Sequence, residues 1–253
     1  MALLGSQVVY GLRGFRRNSR ALLFTVVMPI ILLLLFNSIF SGTTEFNGSA
    51  VQMVNYFTPG IIAYSIMLSG YSGLLVSVVT ARERGILKRF RGTPMPTWVY
   101  LSSLVGLQMV VVGITVAALV GIAVALYGLH LGLAAVVGLV VYTLLGTATM
   151  CAIGLALTGV TTTADSASAV GPFSTVALGF ISGVFIPVAI MPAWLVDVGR
   201  IFPLAHLANG LQRAFSESRA TGLNGTDLAV LGAWCLVAGV VAVRTFRWAP
   251  QGR

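Results

Sequence analysis

Six long apolar stretches constrain this chain more than any other feature of its sequence. They lie at about residues 22–40, 58–80, 98–127, 133–160, 169–190 and 226–243. A helix needs roughly 20 apolar residues to cross the hydrocarbon core of a bilayer, because it rises about 1.5 Å per residue across about 30 Å. The third and fourth stretches are longer than this, which allows them to tilt or to emerge from the bilayer. The sequence therefore predicts an all-α integral membrane protein with six transmembrane helices.

The composition excludes an ordinary soluble globular domain. Charged residues make up 8% of the 253 residues, and hydrophobic residues make up 57%. Soluble domains carry about 25% charged residues, which they need to cover their surface. We therefore expect residues 1–253 to form a single transmembrane domain.

The distribution of basic residues predicts the orientation of the spans. The net charge is +9, with 15 lysines and arginines. If the N-terminus is cytoplasmic, six spans leave only Arg200, Arg213 and Arg219 outside, and the other basic residues lie on the cytoplasmic side. This asymmetry follows the positive-inside rule and predicts that both termini are cytoplasmic. Because topology explains the basic composition, no nucleic-acid partner is expected.

An amphipathic segment precedes the first span. In residues 3–20, Leu4, Val8, Leu12 and Phe15 recur at helical spacing, and four arginines occupy the polar side. Such a segment is typical of an interfacial helix that lies along the cytoplasmic face of the membrane. The alternative is that the arginines only fix the orientation of the first span.

A charged island separates the second and third apolar stretches. Residues 82–91 are predicted to form a helix of about three turns on the cytoplasmic face, ended by Gly92 and Pro94. One side of this helix carries three large apolar residues, Ile86, Leu87 and Phe90. This side is suited to a groove on a partner protein. The alternative is that the helix lies on anionic lipid.

The segment between the fifth and sixth spans contains three prolines and a tryptophan. These are Pro187, Pro192, Pro203 and Trp194. The stretch 193–202 is too short to cross a bilayer, and the prolines interrupt the backbone hydrogen bonding of a helix. Non-helical backbone at membrane depth persists only where protein or a cavity satisfies it. We therefore predict a re-entrant extracytoplasmic segment that caps a cavity.

Missing motifs exclude several classes of function. The only lysine, Lys88, is not part of a phosphate-binding G-x-x-x-x-G-K-[ST] loop, so ATP hydrolysis by this polypeptide alone is not expected. No ionisable residue lies deep in an apolar stretch, which argues against a self-sufficient ion-coupled carrier. Cys151 and Cys235 lack the histidine and acidic neighbours of a metal site. No catalytic residue, cofactor or metal is expected on this chain.

Two sequence patterns resemble a known family. The island residues 82–90, followed by Thr93-Pro94, resemble the R-E-x-G-x-L…T-P loop of the ABC type-2 exporter permeases. The outer pattern is similar to that family's signature after span five, and it comprises Ser182-Gly183-x-Phe185-Ile186-Pro187, Met191-Pro192-x-Trp194 and Pro203-Leu204. The resemblance covers nearly the whole chain and is nearest to the bacterial daunorubicin/doxorubicin-resistance permeases. Lys88 departs from it, because many relatives carry an acidic residue there.

The resemblance implies a coupling helix that docks on a separate ABC ATP-binding subunit, where ATP and Mg²⁺ bind. The residues implied in this coupling are Arg82, Glu83, Gly85, Ile86, Leu87, Arg89, Phe90, Thr93 and Pro94. A second permease subunit, identical or different, would complete a complex embedded in the lipid of the bacterial inner, or plasma, membrane.

The resemblance also implies a substrate path lined mainly by spans two and five. The residues predicted for this path are Asn37, Tyr64, Ser69, Tyr71, Phe173, Phe180 and Phe185. Those predicted for an outer gate are Pro187, Pro192, Trp194 and Pro203. Ordinary packing is the alternative for each path residue. An uncharged aromatic path suits a small hydrophobic or amphipathic substrate, such as a drug, a lipid or a lipid-linked compound.

These observations predict the permease subunit of an ATP-driven exporter that works by alternating access. Two other classes remain open. A non-transporting membrane anchor or scaffold could recruit a soluble partner through the same charged island. An ion-coupled carrier would move its substrate without ATP.

Overall fold

Helices dominate the computed structural model, which describes residues 2–16, 18, 22–40, 42–46, 48–91, 96–216 and 221–248. The helices in these ranges are α1 (Ala2–Arg16), α2 (Leu23–Ile39), α3 (Met53–Glu83), α4 (Ile86–Arg91), α5 (Thr97–Tyr127), α6 (Leu133–Leu157), α7 (Ala164–Ile181), α8 (Ala193–Gly199), α9 (Pro203–Ser216) and α10 (Gly225–Thr245). A short 3₁₀ turn, Val188–Ile190, precedes α8.

Four of the described helices are long and apolar enough to cross a membrane, namely α3, α5, α6 and α10. They coincide with the second, third, fourth and sixth apolar stretches. Helix α2 is apolar but shorter, and α7 has 18 residues and begins with a polar turn. The prediction of a mainly helical membrane protein is confirmed at this level.

A β-hairpin between α2 and α3 departs from the all-α prediction. Strands β1 (Thr43–Phe46) and β2 (Ser49–Gln52) pair antiparallel, with Thr43 opposite Gln52 and Phe46 opposite Ser49. Phe46 and Val51 turn their side chains inward, and the Phe46 ring lies 5.8 Å from that of Tyr56. Four-residue strands of mixed polarity carry a weak sequence signal, so the pairing depends on packing against α3.

Helix α3 occupies the centre of the molecule, with 78% of its most apolar window buried. Helices α2, α5, α6 and α9 all contact it. At Leu68–Gly73 its backbone forms a π-helical turn. Helix α6 approaches this turn so closely that a Cβ added at Gly154 would lie 2.7 Å from the Tyr71 carbonyl oxygen.

Helix α9 is the second buried element, although it is only 14 residues long. Its apolar side packs on α3 and α6. A Cβ added at Gly210 would lie 2.2 Å from Cζ of Tyr142, so only glycine permits this contact with α6. Helix α10 packs along α6 on another side.

The fifth predicted stretch, 169–190, is helical only in its first part, and the prediction is wrong beyond Ile181. Helix α7 ends there, and Gly183 adopts a φ of +73° in the following turn. Glycine at positive φ terminates helices because it has no Cβ to clash. Residues 182–187 continue without helical structure to the 3₁₀ turn.

The three-turn helix predicted at 82–91 is also corrected. Helix α3 continues through Glu83, and Gly85 then adopts a φ of +71°, which separates α3 from α4. The resulting α4 has six residues. Helix α1 packs on α5, where a Cβ added at Gly11 would lie 2.8 Å from Cδ2 of Leu107.

Candidate functional site

Arg82 and Glu83 connect the end of α3 to the link between α6 and α7. Arg82 is 4% exposed, and its Nη1 donates to the Thr158 carbonyl oxygen at 2.7 Å, while Nη2 donates to the carbonyl of Thr161. The Glu83 carboxylate accepts from the backbone N–H of Ala164, the first residue of α7, at 2.9 Å. A cation thus follows the C-terminus of α6 and an anion faces the N-terminus of α7, which suits the dipoles of both helices.

Leu87 anchors α4 to the rest of the protein. Its side chain is 0% exposed and lies in what we call, after the predicted orientation, the cytoplasmic cluster, comprising Leu74, Val78, Leu87, Tyr100, Leu101, Cys151, Leu155 and Ala242. The prediction that Leu87 shares an exposed face with Ile86 is therefore wrong, because the turn at Gly85 directs Leu87 inward. Ile86 is 43% exposed. The cluster joins α4 to α3, α5, α6 and α10.

Three aromatic rings extend this cluster toward the end of the described chain. The ring centroids of Tyr100 and Phe246 are 5.9 Å apart, those of Tyr100 and Trp248 are 5.4 Å apart, and those of Phe246 and Trp248 are 5.2 Å apart. These contacts connect the start of α5 to the segment after α10. Sequence reasoning did not identify them, although aromatic residues at both helix ends were a usable signal.

The other predicted coupling residues are only partly described. Gly85 forms the turn, and Arg89 and Phe90 belong to the α4 backbone. The side chains of these two residues lie outside the described part of the structure. Thr93 and Pro94 also fall outside the described residues.

The predicted path residues do not line one cavity. Tyr64, Phe180 and Phe185 come together, with the Phe185 centroid 4.8 Å from that of Tyr64 and 5.2 Å from that of Phe180. Ser69 instead donates to Gln108 at 2.8 Å. These contacts lie within one subunit, and the path stays a prediction.

The remaining path residues are dispersed. The Tyr71 hydroxyl pairs with that of Ser174 at 2.8 Å. Asn37 is buried beside a cavity of about 290 Å³ between α2 and the hairpin, and donates to the Thr58 hydroxyl at 3.4 Å. The Phe173 ring is 77% exposed on the outward side of α7.

A larger cavity of about 590 Å³ lies at the other end of the bundle from Arg82. We call it the outer cavity, after the side on which the predicted orientation places it. Its walls come from the hairpin, from residues 181–191, from α8 and α9, and from the start of α10. None of the four predicted gate residues is in its lining, although they flank or begin the segments that form it. Pro187 precedes the 3₁₀ turn, Pro192 precedes α8, Trp194 is 66% exposed, and Pro203 begins α9.

Two buried side chains satisfy the non-helical backbone beside the outer cavity. The Tyr56 hydroxyl donates to the Gly183 carbonyl oxygen at 2.8 Å and accepts from the Val188 N–H at 3.2 Å. Gln212 donates to the same Gly183 oxygen at 3.3 Å. Sequence reasoning missed both residues, because neither belongs to a recognisable motif.

His206 joins α9 to the start of α10 in the wall of the outer cavity. Its Nδ1 lies 2.7 Å from Oδ1 of Asp227, and its Nε2 donates to the Arg200 carbonyl oxygen at 2.9 Å. Because Nε2 is already a donor, Nδ1 can donate to the carboxylate only in the protonated ring. The hydrogen bond to Asp227 accordingly raises the pKa of His206. Sequence reasoning also missed this pair.

Comparison with known proteins identifies the family. The sequence model of the ABC-2 type transporters matches residues 6–215. The chain belongs to this family. Among its relatives is the daunorubicin resistance ABC transporter permease protein DrrB1 of Streptomyces coeruleorubidus, 26% identical over 235 residues, or 91% of this chain and 78% of that protein.

A second relative is the inner membrane transport permease YadH of Escherichia coli K12. It is 26% identical over 240 residues, which are 93% of this chain and 90% of YadH. YadH of Shigella flexneri gives the same identity and coverage. The resemblance drawn from the two sequence patterns is thus confirmed at the family level. The chain is a multi-pass membrane protein and a permease subunit of an ABC transporter.

Proposed function

We propose that this chain is the membrane subunit of an ATP-driven exporter. It moves a hydrophobic or amphipathic compound, such as a drug, a lipid or a lipid-linked molecule, out of the cytoplasm. ATP and Mg²⁺ bind to a separate ATP-binding subunit. The observation that carries the proposal is α4, a short helix that is anchored by the buried Leu87 and presents Ile86 to solvent.

The proposed topology has six spans and two cytoplasmic termini. The spans are α2, α3, α5, α6, α7 and α10, while α1 lies in the cytoplasmic interface. Helices α8 and α9 form a re-entrant element on the outer side. The positive-inside distribution of arginines supports this orientation.

Force from the ATP-binding subunit enters through the exposed side of α4. The cytoplasmic cluster transmits this force to α3, α5, α6 and α10, because Leu87 packs among residues of all four helices. Arg82 and Glu83 carry the same displacement to the link between α6 and α7. Alternating access follows if the nucleotide-bound partner binds one arrangement of these helices more tightly than the other.

The proposed substrate path lies between two permease subunits, along the outward side of α7. Four apolar side chains on this helix are exposed, those of Val170, Phe173, Val176 and Phe180. Phe185 and Tyr64 stand behind Phe180 and extend the aromatic surface inward. An uncharged aromatic surface of this kind favours apolar substrates over ions.

The proposal is tested by substituting Ile86→Asp in the complex with its ATP-binding subunit. A carboxylate at the centre of an apolar contact must be desolvated, so we expect at least a tenfold loss of partner affinity and of transport-linked ATP hydrolysis. Ile201→Asp is the matched control, because Ile201 is 63% exposed near α8, far from α4. The measurements are co-purification and substrate flux in proteoliposomes.

The same experiment separates the alternatives. Partner binding without flux for the unsubstituted chain identifies a scaffold. Flux that follows an ion gradient without ATP identifies a carrier. Unchanged ATP-coupled flux for Ile86→Asp contradicts the assignment of α4 as the coupling element.

A further inference from the structure

The outer cavity contains a cation that makes no ion pair with a described residue, although the carboxylate of Glu45 also belongs to the lining. Both carboxylate oxygens of Asp227 are already used, one by His206 and the other by Asn209 at 3.1 Å. Arg200 pairs with Asp197 at 3.6 Å on the surface. Arg213 also lines the cavity, and it makes no ion pair within the described ranges. Its buried Nε has no hydrogen-bond partner.

A second polar group in the same cavity is buried without a partner. Ser182 is 6% exposed, and its hydroxyl makes no hydrogen bond. Burying an unsatisfied polar group costs about 1–3 kcal/mol, so such groups are uncommon unless a ligand completes them. The Ser182 hydroxyl and Nε of Arg213 are therefore two donors without a partner in the lining of one cavity.

The backbone explains why these donors share a site. Gln212 of α9 donates to the carbonyl oxygen of Gly183 at 3.3 Å. Arg213 follows Gln212 in the chain, and Ser182 precedes Gly183, so this contact brings the two segments together and both residues line the cavity. The opposite side of α9 is apolar and packed on α3 and α6, which fixes the polar side toward the cavity.

We propose that the outer cavity binds an oxyanionic head group, such as a phosphate, through Arg213 and Ser182. A guanidinium presents parallel N–H donors that match two oxygens of a phosphate or a carboxylate, and the hydroxyl donates to a third contact. The volume of about 590 Å³ is that of a small-molecule site. The head group belongs either to a free phosphate compound or to an anionic lipid. The inference rests on the proposed topology only in placing this cavity on the outer side.

The test measures the thermal unfolding midpoint of the purified full-length chain in a neutral detergent. Inorganic phosphate is titrated against chloride at constant ionic strength, and a bound anion raises the midpoint in a saturable manner. A parallel arm compares nanodiscs of phosphatidylglycerol with nanodiscs of phosphatidylcholine. We expect Arg213→Gln to abolish the response and Ser182→Ala to weaken the apparent affinity several-fold.

Arg244→Gln is the matched control, because it removes the same charge at the far end of α10 and should leave the response intact. A phosphate response that Arg213→Gln abolishes identifies a site for free anions. A response to phosphatidylglycerol alone, lost in the same variant, identifies a lipid head group. A flat response of the unsubstituted chain in both arms, or an unchanged response in Arg213→Gln, overturns the proposal.

If Arg213→Gln fails to fold, Arg213→Lys replaces it. Lysine keeps the charge but not the forked geometry, so the affinity should fall several-fold, and an unchanged affinity overturns the proposal. Neither arm uses ATP or the ATP-binding subunit. Failure of transport therefore leaves the binding result standing, and the two proposals can fail separately.

Discussion

Arg82 satisfies its buried guanidinium with backbone carbonyls at the end of α6. Hydrogen bonds from a charged donor contribute about 1.5–3 kcal/mol each, and a carbonyl left without its donor incurs a desolvation cost. Glu83, the next residue, is directed to the N-terminus of α7. The two residues therefore fix the α6–α7 link against the end of α3 before any partner binds.

Replacing Arg82 with methionine should destabilise the folded chain by about 2–3 kcal/mol, because the carbonyls of Thr158 and Thr161 lose a charged donor. The thermal midpoint in detergent measures this change. Arg84→Met is the control, since Arg84 is exposed in the turn. Equal midpoints for both variants would show that the buried contacts of Arg82 are not stabilising.

His206 makes the stability of the outer region depend on pH. Its pKa is raised above the ordinary value of 6.5, chiefly by the hydrogen bond to Asp227 and also by the one to the Arg200 carbonyl, while burial and the charge of Arg200 oppose this shift. Protonation therefore stabilises the fold. The contribution is complete below the ordinary pKa and is lost as the pH rises through the raised pKa of the folded state.

We expect the unfolding midpoint to decrease as the pH rises above about 6.5 and to level off once the ring is neutral. The His206→Gln variant should lose most of this slope while retaining an amide donor. His130→Gln is the control, because His130 lies in the exposed turn between α5 and α6. A slope that survives in His206→Gln would assign the pH dependence to another group.

Helix α9 is positioned by a glycine contact as much as by its apolar residues. Gly210 meets the ring of Tyr142, whose hydroxyl in turn accepts from the Asn224 N–H at 3.0 Å. Small residues permit such close approach between helices in membranes. The contact holds α9 against α6 and so supports the wall of the outer cavity.

Gly210→Ala should therefore destabilise the protein by about 1–3 kcal/mol, despite the higher helix propensity of alanine, because its Cβ would lie 2.2 Å from the Tyr142 ring. Gly239→Ala on α10 has no atom within 4 Å and should be neutral or slightly stabilising. Thermal midpoints of the two variants provide the comparison. A stable Gly210→Ala protein would contradict the close packing of α9 on α6.

A helix could be predicted where its own sequence is sufficient to specify it, and was missed where contacts with other segments decide it. Helices α3, α5, α6 and α10 are encoded by length and apolarity alone, which is why their stretches were recognised. The end of α7 was missed because the apolar run continues to Ile190, and a single glycine within it, Gly183, marks where the helix stops. The burial of α9 could not be predicted from its own sequence. The segment has one polar and one apolar side, as a surface helix does, and only its contacts with α3 and α6 show that it is buried.

The candidate sites show the same limit. The pattern at residues 82–90 pointed to the family, but the acceptors of Arg82 lie near residue 160 and are adjacent to it only in the fold. Leu87 was assigned to the wrong side because the turn at Gly85 changes the direction of the chain. Tyr56, His206 and Gln212 act through contacts between distant segments, which periodicity does not reveal.

At the scale of the whole molecule, α3 connects the two functional regions. Its cytoplasmic end holds Arg82 and Glu83, and its first turns hold Tyr56 beside the outer cavity. The cytoplasmic cluster and α9 pack on its two ends. Helices α6 and α10 also reach both regions, because Leu155 and Ala242 belong to the cytoplasmic cluster, while Tyr142 packs on α9 and Asp227 lines the outer cavity.

The π-helical turn at Leu68–Gly73 divides helix α3 near its middle. A widened turn is less rigid than a regular α-helical one, since its hydrogen bonds are differently spaced. We therefore expect α3 to bend more readily at this turn than in its regular α-helical segments, so that its two halves can tilt by different amounts.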